Sequence, residues 1–170
     1  IHTGDFKIDH TSPESLRTDV NRFAQWGETG VLALLSDSTN VEKEGYTIST
    51  EQIGTKLAQL AADCPGRIIV SLFASNITRI QQIVDIAANQ GRKVVFNGRS
   101  IELSVGIAKD LGYLKFPADM EIEVNELDEF PDDEIVMVMT GSQGEPMSAL
   151  TRMAVGNHKQ IKIKPADTIL

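Results

Sequence analysis

The stretch "GRIIVSLFASNITRIQQIVDIAANQGRKVVFNGRS", residues 66–100, contains two apolar runs separated by one amphipathic segment. The runs around "IIVSLF" and "KVVFN" are continuous, not alternating, and rich in Val and Ile, as expected for strands covered on both faces. Between them Ile77, Ile80, Ile83, Val84 and Ala87 recur at helical spacing, and Gly91 stands where a helix would end. Strand, helix, strand is the repeating unit of a parallel sheet.

The same rhythm extends in both directions. Buried strands are predicted at "VLALLS" (31–36), "RIIVSLF" (67–73), "KVVFN" (93–97) and "EIVMVM" (134–139). A helix is predicted from Ser49, with Gln52 three residues on in a capping-box pattern, to about Ala62, ahead of Pro65 and Gly66. Another is predicted over 100–112, ending at Gly112. Near the start, Ser12 as cap and Pro13 at the first helical position predict a helix burying Leu16, Val20 and Phe23. The fold class expected is α/β, a mostly parallel sheet flanked by helices.

In such a sheet every strand delivers its following loop to one edge, where ligands collect. The predicted exits are "SDSTN" (36–40), "ASNITR" (74–79), "NGRS" (97–100) and "TGSQGEP" (140–146). They are rich in Ser, Thr, Asn and Gly, and two carry an arginine. Small residues let backbone N–H groups approach a ligand, and a helix N-terminus adds free donors and positive potential. That chemistry suits phosphate oxygens. In "TGSQGEP", Gly141 and Gly144 would permit the turn and Ser142 and Gln143 would donate, provided Glu145 faces away from the anion.

The 170 residues suffice for one domain with a sizeable core. Hydrophobic content of 41% and charged content of 24% fit a soluble globular protein, and no apolar run could span a bilayer. One cysteine, Cys64, excludes an internal disulfide framework and fits a reducing interior. The formal charge of −8 argues at first against a nucleic-acid partner. However, "DMEIEVNELDEFPDDE" (119–134) holds nine acids and no base, and without it 15 acidic residues face 16 basic ones. That strip reads as a solvated connector or edge.

At the N-terminus His2, Asp5, Asp9 and His10 crowd into nine residues, donor types suited to zinc or manganese. They do not make a self-contained site, and a loop carboxylate is usually a cap or turn former. His158, in the polar run "GNHKQ", reads as an exposed loop residue, Trp26 as a packing residue, and Met137, Met139, Met147 and Met153 as core filler. The first residues lack an initiator Met and a secretory layout and read as the interior of a longer chain.

Taken together, "HTGDFKID", "LLSDSTN", "GRIIVSLFASNITRIQQI", "GRKVVFNGRS", "LGYL" and "TGSQGEPMSAL" resemble, in this order and over nearly the whole chain, the middle of the ribonuclease J family. That family belongs to the β-CASP group of the metallo-β-lactamase superfamily. The resemblance implies an end of the metallo-β-lactamase core over 1–10, a β-CASP domain over 11–164 and a return towards the core over 165–170.

It further implies that Asp5 bridges two metal ions, normally zinc with manganese possible, and that a metal-bound hydroxide attacks an RNA phosphodiester to leave a 5′-phosphate. Asp37 would lie beside that centre as a second catalytic acid. From their placement at the predicted strand exits, and not from the resemblance, Ser75, Asn76, Arg79, Arg99, Gly141, Ser142, Gln143 and Gly144 would line the path of single-stranded RNA. The family implies a cytoplasmic enzyme with 5′-to-3′ exonuclease and endonuclease capacity, a homodimer or tetramer, and membership of an RNA-degrading complex. The histidine-rich metal motifs of the family fall outside these residues, so the fragment alone is expected to be inactive. The competing expectations are a non-catalytic α/β module gripping a nucleotide or phosphate, and a purely structural or assembly domain.

Overall fold

The computed structural model describes residues 1–9, 17–117 and 119–170. The chain divides into two compact units, Ile1–Thr55 and Lys56–Leu170.

The second unit is built on four parallel strands, β1 (Ile68–Ser71), β2 (Lys93–Asn97), β3 (Ile135–Met139) and β4 (Thr168–Ile169), in the order β2-β3-β1-β4. The α/β expectation therefore holds, as do the three longer strand predictions. Successive strand residues point to opposite faces, and both faces are buried. Ile68, Val70, Val94, Phe96, Val136 and Val138 pack with Ile80, Ile83, Val84, Ile101 and Val105. These last belong to the third and fourth of the helices α1 (Val20–Thr29), α2 (Thr50–Ala62), α3 (Ile77–Asn89), α4 (Arg99–Asp110) and α5 (Ala149–Ala154). The opposite face, with Ile69, Val95, Met137 and Met139, packs against Ala149 and Met153 of α5 and against Leu127 and Ile161.

Helix ends follow the sequence. The Asn76 side chain accepts from the Arg79 N–H at 3.1 Å and caps α3. At the other end Gly91 takes φ +66°, so the chain turns back and the Arg92 N–H reaches the Ala87 carbonyl at 2.9 Å. The short β4 is held by a buried ion pair: Arg67 Nε and Nη2 donate to Asp167 at 2.7 and 2.6 Å, and Nη2 also reaches the Lys162 carbonyl at 2.7 Å.

The first unit departs from expectation. Residues 31–36 form no strand, and Leu35 makes only an isolated parallel bridge with His2. No described residue of 1–55 is buried, so this apolar run has no core there to enter. Helix α1 starts at Val20, where Asp19 caps it by accepting from the Arg22 N–H at 3.0 Å. The predicted cap at Ser12 and Pro13, with Leu16, lies outside the described residues. Trp26 is 53% exposed and packs into no core, contrary to the reading as a packing residue. The Ser49 cap is present, its hydroxyl accepting from the Gln52 N–H at 3.1 Å.

Candidate functional site

Register places three strand exits at one height. Ser71 pairs with Met139 and Met139 with Asn97, so the chain leaves the sheet at Leu72, Thr140 and Gly98 side by side. β1 then feeds α3 on one face, while its neighbour β3 feeds α5 on the other. Adjacent strands whose connections diverge in this way leave a crevice at their carboxyl ends. A cleft of about 590 Å³ opens there. Phe73 and Ala74 come to it from the β1 exit, Arg99 and Ser100 from the β2 exit, Met147 from the β3 exit and Arg152 from α5.

The fourth predicted exit, "SDSTN", belongs to Ile1–Thr55 and not to this sheet. Of the predicted phosphate-binding residues, Arg99 lines the cleft. Ser142, Gln143 and Gly144 are exposed on the β3 loop, and Ser75 and Asn76 are exposed at the start of α3. All five lie outside the cleft walls, as does the half-buried Arg79. Burial lowers the Arg79 pKa from a value high enough to leave it cationic, and its Nη1 has no hydrogen-bond partner among the described residues.

The "TGSQGEP" loop is organised from within. Gly141 has φ +126°, and a Cβ there would stand 2.6 Å from Ser148 Oγ and 2.9 Å from Leu150 Cβ. The Gln143 N–H donates to the Glu145 carboxylate at 3.1 Å, and the Gly144 N–H to the Gly141 carbonyl at 3.0 Å. Two backbone donors that a phosphate cradle would need are thus engaged. Charge for an anion comes instead from the side chains of Arg99 and Arg152. Arg152 Nε is buried and has no partner among the described residues.

Sequence reading missed three contributors. Phe73 was absorbed into a strand that ends at Ser71. Arg152 lies one turn beyond Ser148, and that spacing on α5 was the available signal. His158 is buried, not exposed: Nε2 lies 2.9 Å from Asn97 Oδ1, and Nδ1 accepts from the Ile161 N–H at 3.0 Å. Burial, then the nearby Arg152 cation, lower its pKa, and the neutral ring ties the end of β2 to the chain beyond α5. Met147 is likewise no core filler, being 78% exposed, whereas Met137, Met139 and Met153 are buried.

The acid-bearing motifs meet within Ile1–Thr55. Thr3 Oγ1 accepts from the Asp37 N–H at 3.0 Å, and the Thr3 N–H donates to the Leu35 carbonyl. The Thr39 hydroxyl and N–H, with the Phe6 N–H, hold the Asp37 carboxyl below its usual range. Asp5 is exposed in the adjoining loop. His2 Nδ1 accepts from the Gly4 N–H at 3.1 Å, and Asp9 accepts from the Thr50 N–H at 2.7 Å at the start of α2. His10 lies outside the described residues. Among those described, no group of three or more His, Cys, Asp or Glu side chains could hold a metal ion. These residues alone therefore do not fit a metal centre. No helix among them is long and apolar enough to cross a membrane.

Comparison with known proteins agrees with the architecture. The family description "Ribonuclease J, beta-CASP domain" matches residues 65–170. Ribonuclease J of Helicobacter pylori (strain ATCC 700392 / 26695) is 49% identical over 170 residues, covering 100% of this chain and 25% of that protein. Ribonuclease J 2 of Staphylococcus epidermidis (strain RP62A) is 43% identical over 169 residues, covering 99% of this chain and 30% of the relative. Ribonuclease J2 of Bacillus subtilis (strain 168) is 40% identical over 170 residues, covering 100% and 31%. The chain thus spans about a quarter to a third of the length of these relatives. A parallel sheet with helices on both faces, a cleft at its strand exits that carries Arg99 and Arg152 but also Glu145, which was expected to face away from an anion, and this similarity agree, and the chain belongs to the ribonuclease J β-CASP family.

Proposed function

We propose that this chain is the RNA-gripping part of a metal-dependent ribonuclease that hydrolyses phosphodiesters to leave 5′-phosphates, with 5′-to-3′ exonuclease and endonuclease action in the full-length enzyme. The observation that carries this reading is the level alignment of three strand exits around a cleft bearing Arg99 and Arg152. Two guanidiniums beside the Ser100 hydroxyl suit a phosphate diester. Ser75, Asn76, Arg79 and the Gly141–Gly144 loop continue the same edge and extend the path for a single strand.

The net negative charge does not oppose this assignment, because a strand needs positive potential only along its own track. Asp5 and Asp37 are the acids proposed for the enzyme's catalytic centre. Two zinc ions, or manganese, are the metals proposed for it. A cytoplasmic homodimer or tetramer associated with other RNA-degrading proteins is the accompanying proposal for the full-length enzyme.

The test is a titration with single-stranded RNAs of increasing length at two salt concentrations. Affinity that rises with added nucleotides and falls steeply with salt supports RNA gripping. Affinity indifferent to length identifies a mononucleotide pocket instead. In parallel, 5′-monophosphorylated RNA is expected to stay intact with the 170 residues alone and to be cut by the full-length, metal-loaded enzyme.

A further inference from the structure

We propose that the outer face of α4, with the acidic groove beside it, is a docking surface for a basic amphipathic helix of a partner protein. This goes beyond the RNA reading and does not depend on it. α4 buries Ile101, Val105 and Ala108 in the core. Yet Leu103, Ile107 and Leu111, along the helix and its C-cap, are 64, 51 and 65% exposed. Spaced by four, they form the kind of ridge by which one helix packs into another, and Tyr113, 66% exposed, follows just beyond its end. A single exposed leucine is ordinary, but an apolar row on a helix that already has a buried face marks a contact surface.

Charge identifies the occupant. A groove of about 410 Å³ runs beside the same helix, with Glu102 and Lys109 of α4 on one wall and Glu121 and Glu123 on the other. Its one ammonium, Lys109, is already paired with Glu121, so the groove is net negative. The far wall is fixed in place: the Val94 N–H donates to the Met120 carbonyl at 2.9 Å, and the Ile122 N–H to the Val94 carbonyl at 3.0 Å. Helical spacing sets Gly106 between the ridge and the groove. It is exposed, and a Cβ there would meet nothing within 4 Å. Glycine weakens a helix interior relative to alanine, and the packing of α4 itself leaves room for a side chain. The low saddle lets a second helix cross closely, with apolar residues on the ridge and Lys or Arg in the groove. A second copy of α4 would bring Glu102 and Asp110 against an equally acidic flank, and RNA phosphate or anionic lipid would be repelled.

The experiment titrates the full-length enzyme with a synthetic helix of about 18 residues, leucines on one face and lysines on the other. The controls are the same peptide with glutamate for lysine, and the same leucines and lysines in scrambled order. Wild type should bind the leucine–lysine helix about 10-fold or more tighter than either control. Leu103→Gln with Ile107→Gln, and separately Glu121→Gln with Glu123→Gln, should each weaken that binding about 10-fold. Gly106→Gln should weaken it similarly while raising the unfolding midpoint, because the helix itself gains; a merely structural role would not move the two in opposite directions. Affinity for single-stranded RNA should stay unchanged in all three variants. Equal binding of the three peptides, or equal binding of the helix to wild type and variants, overturns the proposal. So does dissociation of a full-length oligomer by Leu103→Gln with Ile107→Gln, which would make the face a contact between copies. A fall in RNA affinity in these variants would assign the face to the RNA track instead. Absence of RNA binding in wild type would sink the RNA reading and leave this surface standing.

Discussion

At Gly141, a Cβ would collide with Ser148 and Leu150 in a backbone conformation that L-residues rarely adopt. Gly141→Ala is expected to destabilise the protein by about 1–3 kcal/mol, seen as a lower urea midpoint at unchanged slope. His158 makes a pH prediction. Its folded pKa lies below the unfolded value of about 6.5, so the unfolded chain binds the extra proton first. Stability from the neutral ring is therefore present above that value and declines as pH falls below it towards the folded pKa. Urea midpoints at pH 7.5 and 5.5 should differ, and His158→Gln should narrow the difference. Neither Gly141's close approach nor His158's burial was legible locally. "GNHKQ" looks solvated because the partner that buries the ring, Asn97, is 61 residues away. Phe73 was hidden by a different ambiguity, since a continuous apolar run does not show where its strand stops.

Among the elements, β4 consists of two residues, and its attachment depends on the Arg67–Asp167 pair. Asp167→Ala leaves a buried guanidinium without its counter-charge and should cost about 3–5 kcal/mol. The same change at Lys109, whose partner Glu121 is solvent-accessible, should cost no more than about 1 kcal/mol. Equilibrium unfolding of both variants tests the contrast. Hydrogen exchange at the Thr168 and Leu170 amides, which bond to Arg67 and Ile69, should accelerate only in the first. The helices and the three core strands were readable because periodicity, caps and terminating glycines agreed with one another. "VLALLS" misled because apolarity records a need for cover without saying where the cover is. With no buried neighbour among the described residues of 1–55, it forms one bridge and no strand.

For the whole molecule, the core lies in Lys56–Leu170, and the described part of Ile1–Thr55 buries no residue. Local stability follows buried contacts, so amides of residues 1–9 and 17–55 in the 170-residue chain should exchange faster than those of β1, β2 and β3. Equal protection in the two units would contradict that account. The parallel sheet was legible at this scale, as was the edge where ligands collect. That one of four predicted exits lay in the other unit was not, because motif order along the chain does not say which sheet a loop leaves. The central claim is that the strand-exit edge grips an RNA backbone. It is tested most directly by the salt dependence of single-stranded RNA binding to the full-length enzyme, with and without Arg99→Gln and Arg152→Gln combined. Each lost phosphate contact should reduce the log–log slope by about 0.7, so the double variant should be shallower by roughly 1.4 at an unchanged unfolding midpoint. Identical slopes would show that these arginines do not hold the RNA backbone.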